Sequence, residues 1–243
     1  MTPTFTSFQP FPKIPRLFRD VVISEKLDGT NASVFVWNES ATDPASIDPK
    51  HSGASRAFGC PQTRGFLDVP WLWEQEGIHI AAGSRKRWLT ISSDNYGFAK
   101  WVQESAASLI QLRHGRHFGE WWGNGINRGY DRPPGNRRFS LFNTIRWCPA
   151  GATPELISTN HKGEEKWQEE APPCCGIVPV LYRGIFSTWA VETALANLKE
   201  IGSFAVPGYR NPEGIVIFHT AQGNLFKVTL ENDAKPKGGG EEA

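Results

Sequence analysis

The chain has 243 residues, with 26 Lys plus Arg against 25 Asp plus Glu and a hydrophobic share of 39%. A net charge of +1 excludes the global basicity of a histone-like nucleic-acid binder, so any nucleic-acid surface must be a local patch. The apolar content supports one substantial core and is too high for a disordered chain, and no run approaches 18 consecutive apolar residues.

Pro12 and Pro15 disfavour a helix near the start and lead into Val21-Val22-Ile23, a β-branched run that reads as a strand ending near Lys26. After a turn at Asp28-Gly29, the run Ala32 to Trp37 reads as a second strand. Residues 40 to 83 are rich in Pro, Gly, Ser and Asp and predict irregular structure with short strands, with Trp71-Leu72-Trp73 as the one strong apolar patch. Phe98, Trp101, Val102, Leu109 and Leu112 fall at near-helical spacing between Asn95, a candidate cap, and Gly115, a candidate stop.

Phe139 to Ile145 alternates as a strand, and Ile177 to Tyr182 reads as another behind the turn-rich segment 149 to 173. A second helix is predicted over 188 to 201, with Val191, Leu195 and Leu198 on one face and Gly202 at its end. The runs 214 to 218 and 225 to 228 flank a turn at Gln222-Gly223-Asn224, the pattern of a hairpin. Strands in hairpins with separated helices argue for an α+β fold with mostly antiparallel sheets, because regular strand-helix alternation is missing. The tail from Lys235 to Ala243 is low in complexity and reads as flexible.

Ten tryptophans and fifteen phenylalanines are expected mostly in the core. Cys60, Cys148, Cys174 and Cys175 lack a Cys-x-x-Cys spacing, and the vicinal Cys174-Cys175 cannot bridge without strain, so a reducing compartment and no structural zinc are expected. The first ten residues lack a basic region followed by an apolar run, which leads us to expect a cytoplasmic protein with no membrane partner.

The chemistry-bearing segment is Glu25-Lys26-Leu27-Asp28-Gly29-Thr30-Asn31. Alone it reads equally as an exposed turn. It is followed in order by Phe118-Gly119-Glu120-Trp121-Trp122-Gly123, Phe139 to Asn143, Glu213-Gly214-Ile215-Val216 and Phe226-Lys227-Val228. Five such motifs in order are hard to obtain by accident.

The set resembles the covalent nucleotidyltransferase superfamily of DNA ligases, RNA ligases and mRNA capping enzymes. Its Glu-Lys-x-x-Gly-Thr-Asn form is most similar to the RNA ligase 2-like branch of ATP-dependent RNA ligases. The resemblance implies a ligase-type nucleotidyltransferase (adenylation) domain over residues 1 to 230 and a flexible tail over 231 to 243. It implies that Lys26 attacks ATP to form lysyl-AMP, that AMP passes to an RNA 5′-phosphate, and that a 3′-hydroxyl displaces it. The alternatives are a compact DNA ligase or 5′-adenylating enzyme and, in another class, a non-catalytic nucleotide- or RNA-binding module.

The same resemblance assigns roles to further residues. Glu25 would read the adenine edge, favouring ATP over GTP, and Asn31 would help hold the 5′-phosphate end. Arg85, within the basic run Gly83 to Arg87, would bind phosphate, for which a planar guanidinium is suited. Glu120 would contact the ribose and, with Glu213, hold Mg²⁺, with Mn²⁺ as the alternative. Phe142 would stack on the adenine, although its periodicity alone also allows a core residue. Lys227 would contact the α-phosphate, and Asp28 the ribose or phosphate side. His114, Arg116, His117, Arg128 and Arg132 flank Glu120 and form a candidate local patch for RNA, the histidines being read as surface or core residues rather than ligands.

The chain departs from the pattern in three respects. Asn143 replaces the usual aspartate after the stacking aromatic, and Thr229 stands where the family commonly has a second lysine. Little sequence follows Leu230, so the C-terminal domain of many ligases is expected to be absent, its work falling to local residues or to a separate partner protein.

Overall fold

A computed structural model describes residues 11, 14–40, 69–159, 163, 165–231 and 233. Most of the stretch expected to be irregular, Cys60 and the flexible tail expected over 235 to 243 lie outside the described residues. The N-terminal half carries β1 (Asp20–Lys26), β2 (Thr30–Asn38), β3 (Trp73–Gln75), β4 (Ile78–Ser84), β5 (Trp88–Leu89), α1 (Phe98–Glu104), α2 (Ala106–Leu109) and β6 (Gly115–Gly123). There follow β7 (Arg137–Leu141), β8 (Trp147–Cys148), β9 (Leu156–Thr159), β10 (Glu165–Trp167), β11 (Glu169–Glu170), β12 (Cys175–Ile177) and β13 (Val180–Ile185). The last elements are α3 (Thr188–Ile201), β14 (Gly214–His219) and β15 (Asn224–Thr229).

Two main sheets organise the chain. The larger has the order β12-β7-β6-β2-β4-β3, with β5 pairing β4, and the smaller has the order β13-β1-β14-β15. Pairing within both is antiparallel except between β12 and β7, as the α+β reading anticipates.

Each sheet buries one face under helix. On the large sheet, Ala32, Val34, Val36, Ile80, Ala82, Trp121, Phe139 and Leu141 pack with Phe98, Ala99, Val102 and Leu109. On the small sheet, Val21, Ile23, Ile215 and Ile217 pack with Ala190, Ala194 and Leu198, whose i, i+4 spacing lays one stripe of α3 along the strands. The Ser187 hydroxyl caps that helix by accepting from the Ala190 N–H at 3.1 Å. Each large apolar side chain so buried contributes about 1.5–3 kcal/mol, enough in sum to hold the two layers. The opposite faces of the sheets carry the polar residues discussed below.

Four local expectations are revised. The span 78 to 83, expected to be irregular with short strands, lies in β4, a seven-residue, largely buried strand between β2 and β3. Its Ala and Gly residues lower strand propensity but fit where packing is tight. The helix predicted from Phe98 to Leu112 is interrupted at Ser105, and its first turn is held by the Asp94 carboxylate, which accepts from Ala99 and Lys100, rather than by Asn95. The strand predicted to run to Ile145 stops at Leu141. The strand predicted over 177 to 182 is two strands, β12 in the large sheet and β13 in the small one, because Pro179 has no N–H to continue a ladder. Among the described residues no helix is long and apolar enough to cross a membrane, and Cys148, Cys174 and Cys175 are free thiols.

Candidate active site

Strand parity decides what β1 presents. Alternate residues face opposite sides, so Val21, Ile23 and Glu25 turn toward α3 while Ser24 and Lys26 turn the other way. Lys26 is opposite Gly214 in the register, which brings the preceding residue, Glu213, beside it. The Lys26 Nζ donates to Glu213 Oε2 at 2.5 Å, and Glu213 is only 7% exposed. This is a short charge-assisted contact in a largely closed position.

The turn after Lys26 is fastened from several sides. The Asp28 N–H donates to the Tyr130 hydroxyl (2.7 Å), and the Gly29 N–H donates to Glu120 Oε1 (3.0 Å). A Cβ on Gly29 would lie 2.4 Å from the Trp121 carbonyl oxygen, so only glycine allows the turn to sit this close to β6. The Asp28 carboxylate is engaged by Asn127 Nδ2 at 2.9 Å and Arg128 Nε at 3.0 Å. It therefore anchors a loop, where a contact with ribose or phosphate was expected.

Glu120 comes from the middle of β6, on the face of the large sheet away from α1. Asn31 is its direct neighbour on β2 and Ser140 on β7. Burial pushes the Glu120 carboxyl up to about 7, and the nearby carboxylates of Glu213 and Asp28 act in the same direction. Lys26 and the Gly29 N–H oppose them. An amine and two carboxylates thus share one electrostatic environment, assembled from β1, β6 and the entry to β14.

Among the described residues no group of three or more His, Cys, Asp or Glu side chains is arranged to hold a metal ion. Two carboxylates nevertheless fit a hard divalent cation that takes its remaining ligands from substrate phosphates and water. Glu120 and Glu213 are the residues that would hold it.

The other predicted residues lie at different distances from this cluster. Phe142 follows β7 and is 37% exposed, so it is not part of the core. Lys227 is exposed on β15 opposite Val216, which is opposite Ser24, and so shares the face of Lys26. Thr229, opposite Gly214, has its hydroxyl taken up by the Glu231 carbonyl at 2.8 Å. Arg85 is exposed in the turn after β4, whose last residue, Ser84, pairs with Ala32 beside Asn31.

Glu25 requires a correction. It is 1% exposed on the α3 side of β1, and its carboxylate accepts from the Ser203 hydroxyl (2.6 Å), the Phe204 N–H (2.8 Å) and the Ala205 N–H (3.0 Å). Burial raises its pKa, and those three donors pull against the rise. The residue ties the segment after α3 to β1 and is turned from the Lys26 face, so it cannot read a base bound there.

The basic patch expected around Glu120 is also largely structural. Arg116 donates to Ser33 Oγ at 3.1 Å and lies over the Trp88 and Phe118 rings. His117 is buried, with a pKa lowered to about 3 chiefly by desolvation, and Arg132 lies over Trp122. Asn127, Arg128 and Tyr130, which grip the Asp28-Gly29 turn, had no periodicity to announce them. Arg128 was read as an RNA contact, and for Asn127 and Tyr130 the Asn- and Gly-rich run from Asn124 to Tyr130 was the one available signal.

A cavity of about 430 Å³ lined by Thr144, Trp147, Gln168, Val178, Tyr182 and Arg183, among others, contains none of the predicted site residues. Unlike the Lys26 cluster, the cavity offers no amine beside paired carboxylates.

The sequence matches the RNA ligase family over residues 19–229. No curated protein matches the chain. Among solved structures it is similar to a lysine mutant of Naegleria gruberi RNA ligase with ATP and Mn, at 14% identity and a TM-score of 0.46, covering 86% of this chain and 48% of that one. It is also similar to a glutamate mutant of the same ligase with AMP and Mn, at 16% identity and a TM-score of 0.46, covering 94% of this chain and 57% of that one. The chain thus spans about half the length of these structural relatives.

Proposed function

The chain belongs to the RNA ligase family, and from that premise we propose that it is an ATP-dependent RNA ligase working through a lysyl-AMP intermediate on Lys26. The observation that carries this reading is the convergence of Lys26, Glu213 and Glu120, from distant parts of the sequence, in one largely buried cluster.

In the first step the Lys26 amine forms a bond to the α-phosphorus of ATP, and the bond to the leaving pyrophosphate breaks. Before attack the amine must shed a proton, and Glu213 Oε2 is its bonded acceptor. A divalent cation held by Glu120 and Glu213 would neutralise phosphate charge. Lys227, on the same face of the small sheet, supplies a cation for the α-phosphate, and with the Thr229 hydroxyl already bonded it does so without help from that position. Phe142 gives an exposed aromatic face for the base. Because Glu25 is committed elsewhere, selection of adenine falls to groups other than its carboxylate.

In the later steps AMP passes to an RNA 5′-phosphate, forming a 5′-5′ pyrophosphate linkage, and a 3′-hydroxyl displaces AMP as the strand is sealed. Asn31, beside Glu120, and Arg85, at the exposed turn, are the proposed contacts for the phosphate end.

The test is incubation of the protein with ATP labelled at the α-phosphate and Mg²⁺, followed by denaturing electrophoresis. Wild type is expected to retain label and Lys26→Ala to lose it. Unlabelled wild type would overturn the ligase reading, and label that survives Lys26→Ala would overturn the nucleophile assignment. Offering 5′-phosphorylated RNA and DNA nicks to the labelled protein then distinguishes the substrate.

A further inference from the structure

The turn that follows β6 is held in a conformation side chains resist. Asn127, Tyr130 and Asp131 have φ of 44°, 55° and 52°, in the left-handed region that favours glycine. Such backbone persists only where the surroundings enforce it. Here the enforcing contacts run to the two segments that bring Lys26 and Glu213 together.

Arg128 makes the link. Its Nε donates to Asp28 Oδ2 at 3.0 Å, two residues past Lys26. Its Nη1 donates to the Asn211 carbonyl at 3.1 Å and to Asn211 Oδ1 at 2.5 Å, two residues before Glu213. A planar guanidinium can serve acceptors on two segments at once, which the single ammonium of lysine does poorly.

Neighbouring residues add to the grip. Asn127 Nδ2 donates to Asp28 Oδ1 and to the Gly29 carbonyl, at 2.9 and 2.5 Å. The Tyr130 hydroxyl accepts the Asp28 N–H at 2.7 Å, while its ring packs between Trp122 and Tyr209. Since Tyr209 lies on the segment leading to Glu213, the turn holds both sides of the Lys26–Glu213 pair.

We propose that Arg128, supported by Asn127 and Tyr130, is a positioning clamp that sets the Lys26–Glu213 geometry by tying Asp28 to Asn211. None of the three touches the reacting atoms in this arrangement; they act through the two segments. The proposal rests on the reading of Lys26 as the adenylylated residue.

The experiment pairs single-turnover formation of lysyl-AMP with amide hydrogen exchange on the same full-length proteins. Arg128→Ala is expected to slow labelling by about tenfold or more, with the ATP concentration for half-maximal labelling unchanged, as for a loss of positioning. The double variant of Asp28→Ala and Arg128→Ala is expected to be no slower than the worse single variant, because both break one link. The Asp28 and Gly29 amides should exchange faster in Arg128→Ala, while those of Val34 and Ile215 stay protected.

Labelling within twofold of wild type, single effects that multiply, or unchanged exchange at Asp28 and Gly29 each overturns the clamp. Unlabelled wild type overturns the ligase reading instead, and the exchange result still decides the clamp. If Arg128→Ala does not fold, Asn211→Ala removes one acceptor and is held to the same exchange outcome.

Discussion

The Lys26 ammonium lies 2.5 Å from the Glu213 carboxylate across 187 residues of sequence. One carboxylate thus both accepts from the proposed nucleophile and belongs to the pair suited to a divalent cation. Glu213→Gln keeps the volume and removes the charge. Lysyl-AMP formation is expected to fall by at least about tenfold, with a higher Mg²⁺ requirement. A Mg²⁺ titration of labelling that superimposes on wild type would assign the metal to other residues.

Phe142 is 37% exposed, so its removal should affect binding more than folding. Stacking on a base is worth about 1–3 kcal/mol, so Phe142→Ala is expected to raise the KM for ATP by about five- to a hundredfold, while Phe142→Trp retains affinity. The thermal midpoint should move little. A large fall in that midpoint with unchanged KM would return Phe142 to a packing role.

The Glu120 carboxyl titrates at about 7 in the folded protein, above its ordinary value of 4.5, because burial disfavours its charge. A raised carboxyl pKa favours folding when the group is protonated. The contribution is full below about 4.5 and is lost as pH rises through about 7. Glu120→Gln, permanently neutral, should therefore gain stability relative to wild type between pH 5 and 8. Parallel melting curves for the two proteins across that range would refute the shift.

Gly119 precedes Glu120 in β6, and a Cβ there would lie 2.4 Å from the Ser140 carbonyl oxygen and 2.6 Å from the Phe139 ring. Gly119→Ala is therefore expected to destabilise the fold by about 1–3 kcal/mol through overpacking. Urea unfolding measures this directly, and a midpoint equal to wild type would mean that β7 can yield.

Much of this arrangement was legible in residue order. The β-branched run before Lys26, the α3 stripe and the hairpin leading to Lys227 are local patterns, set by side-chain shape and period, and they form where the pattern lies. The motif order around Lys26, Glu120 and Glu213 was equally readable, through its resemblance to the nucleotidyltransferase superfamily. Composition understated the strand over Ile78 to Ser84, where small residues serve a long, buried β4 and not a short strand in irregular surroundings.

What tertiary structure alone decided is which neighbour each side chain meets. Adjacent Glu25 and Lys26 look alike as candidates, yet they turn to opposite sides of β1, so the first is tied to the segment after α3 and the second meets Glu213. Asp28, read as a substrate contact, meets Arg128 from 100 residues away, and Arg128 meets Asn211 from 83. Local period specifies elements because its forces act within a turn or a strand. The partners of charged groups depend on sheet register and on which face is buried, and both are set by packing over the whole chain.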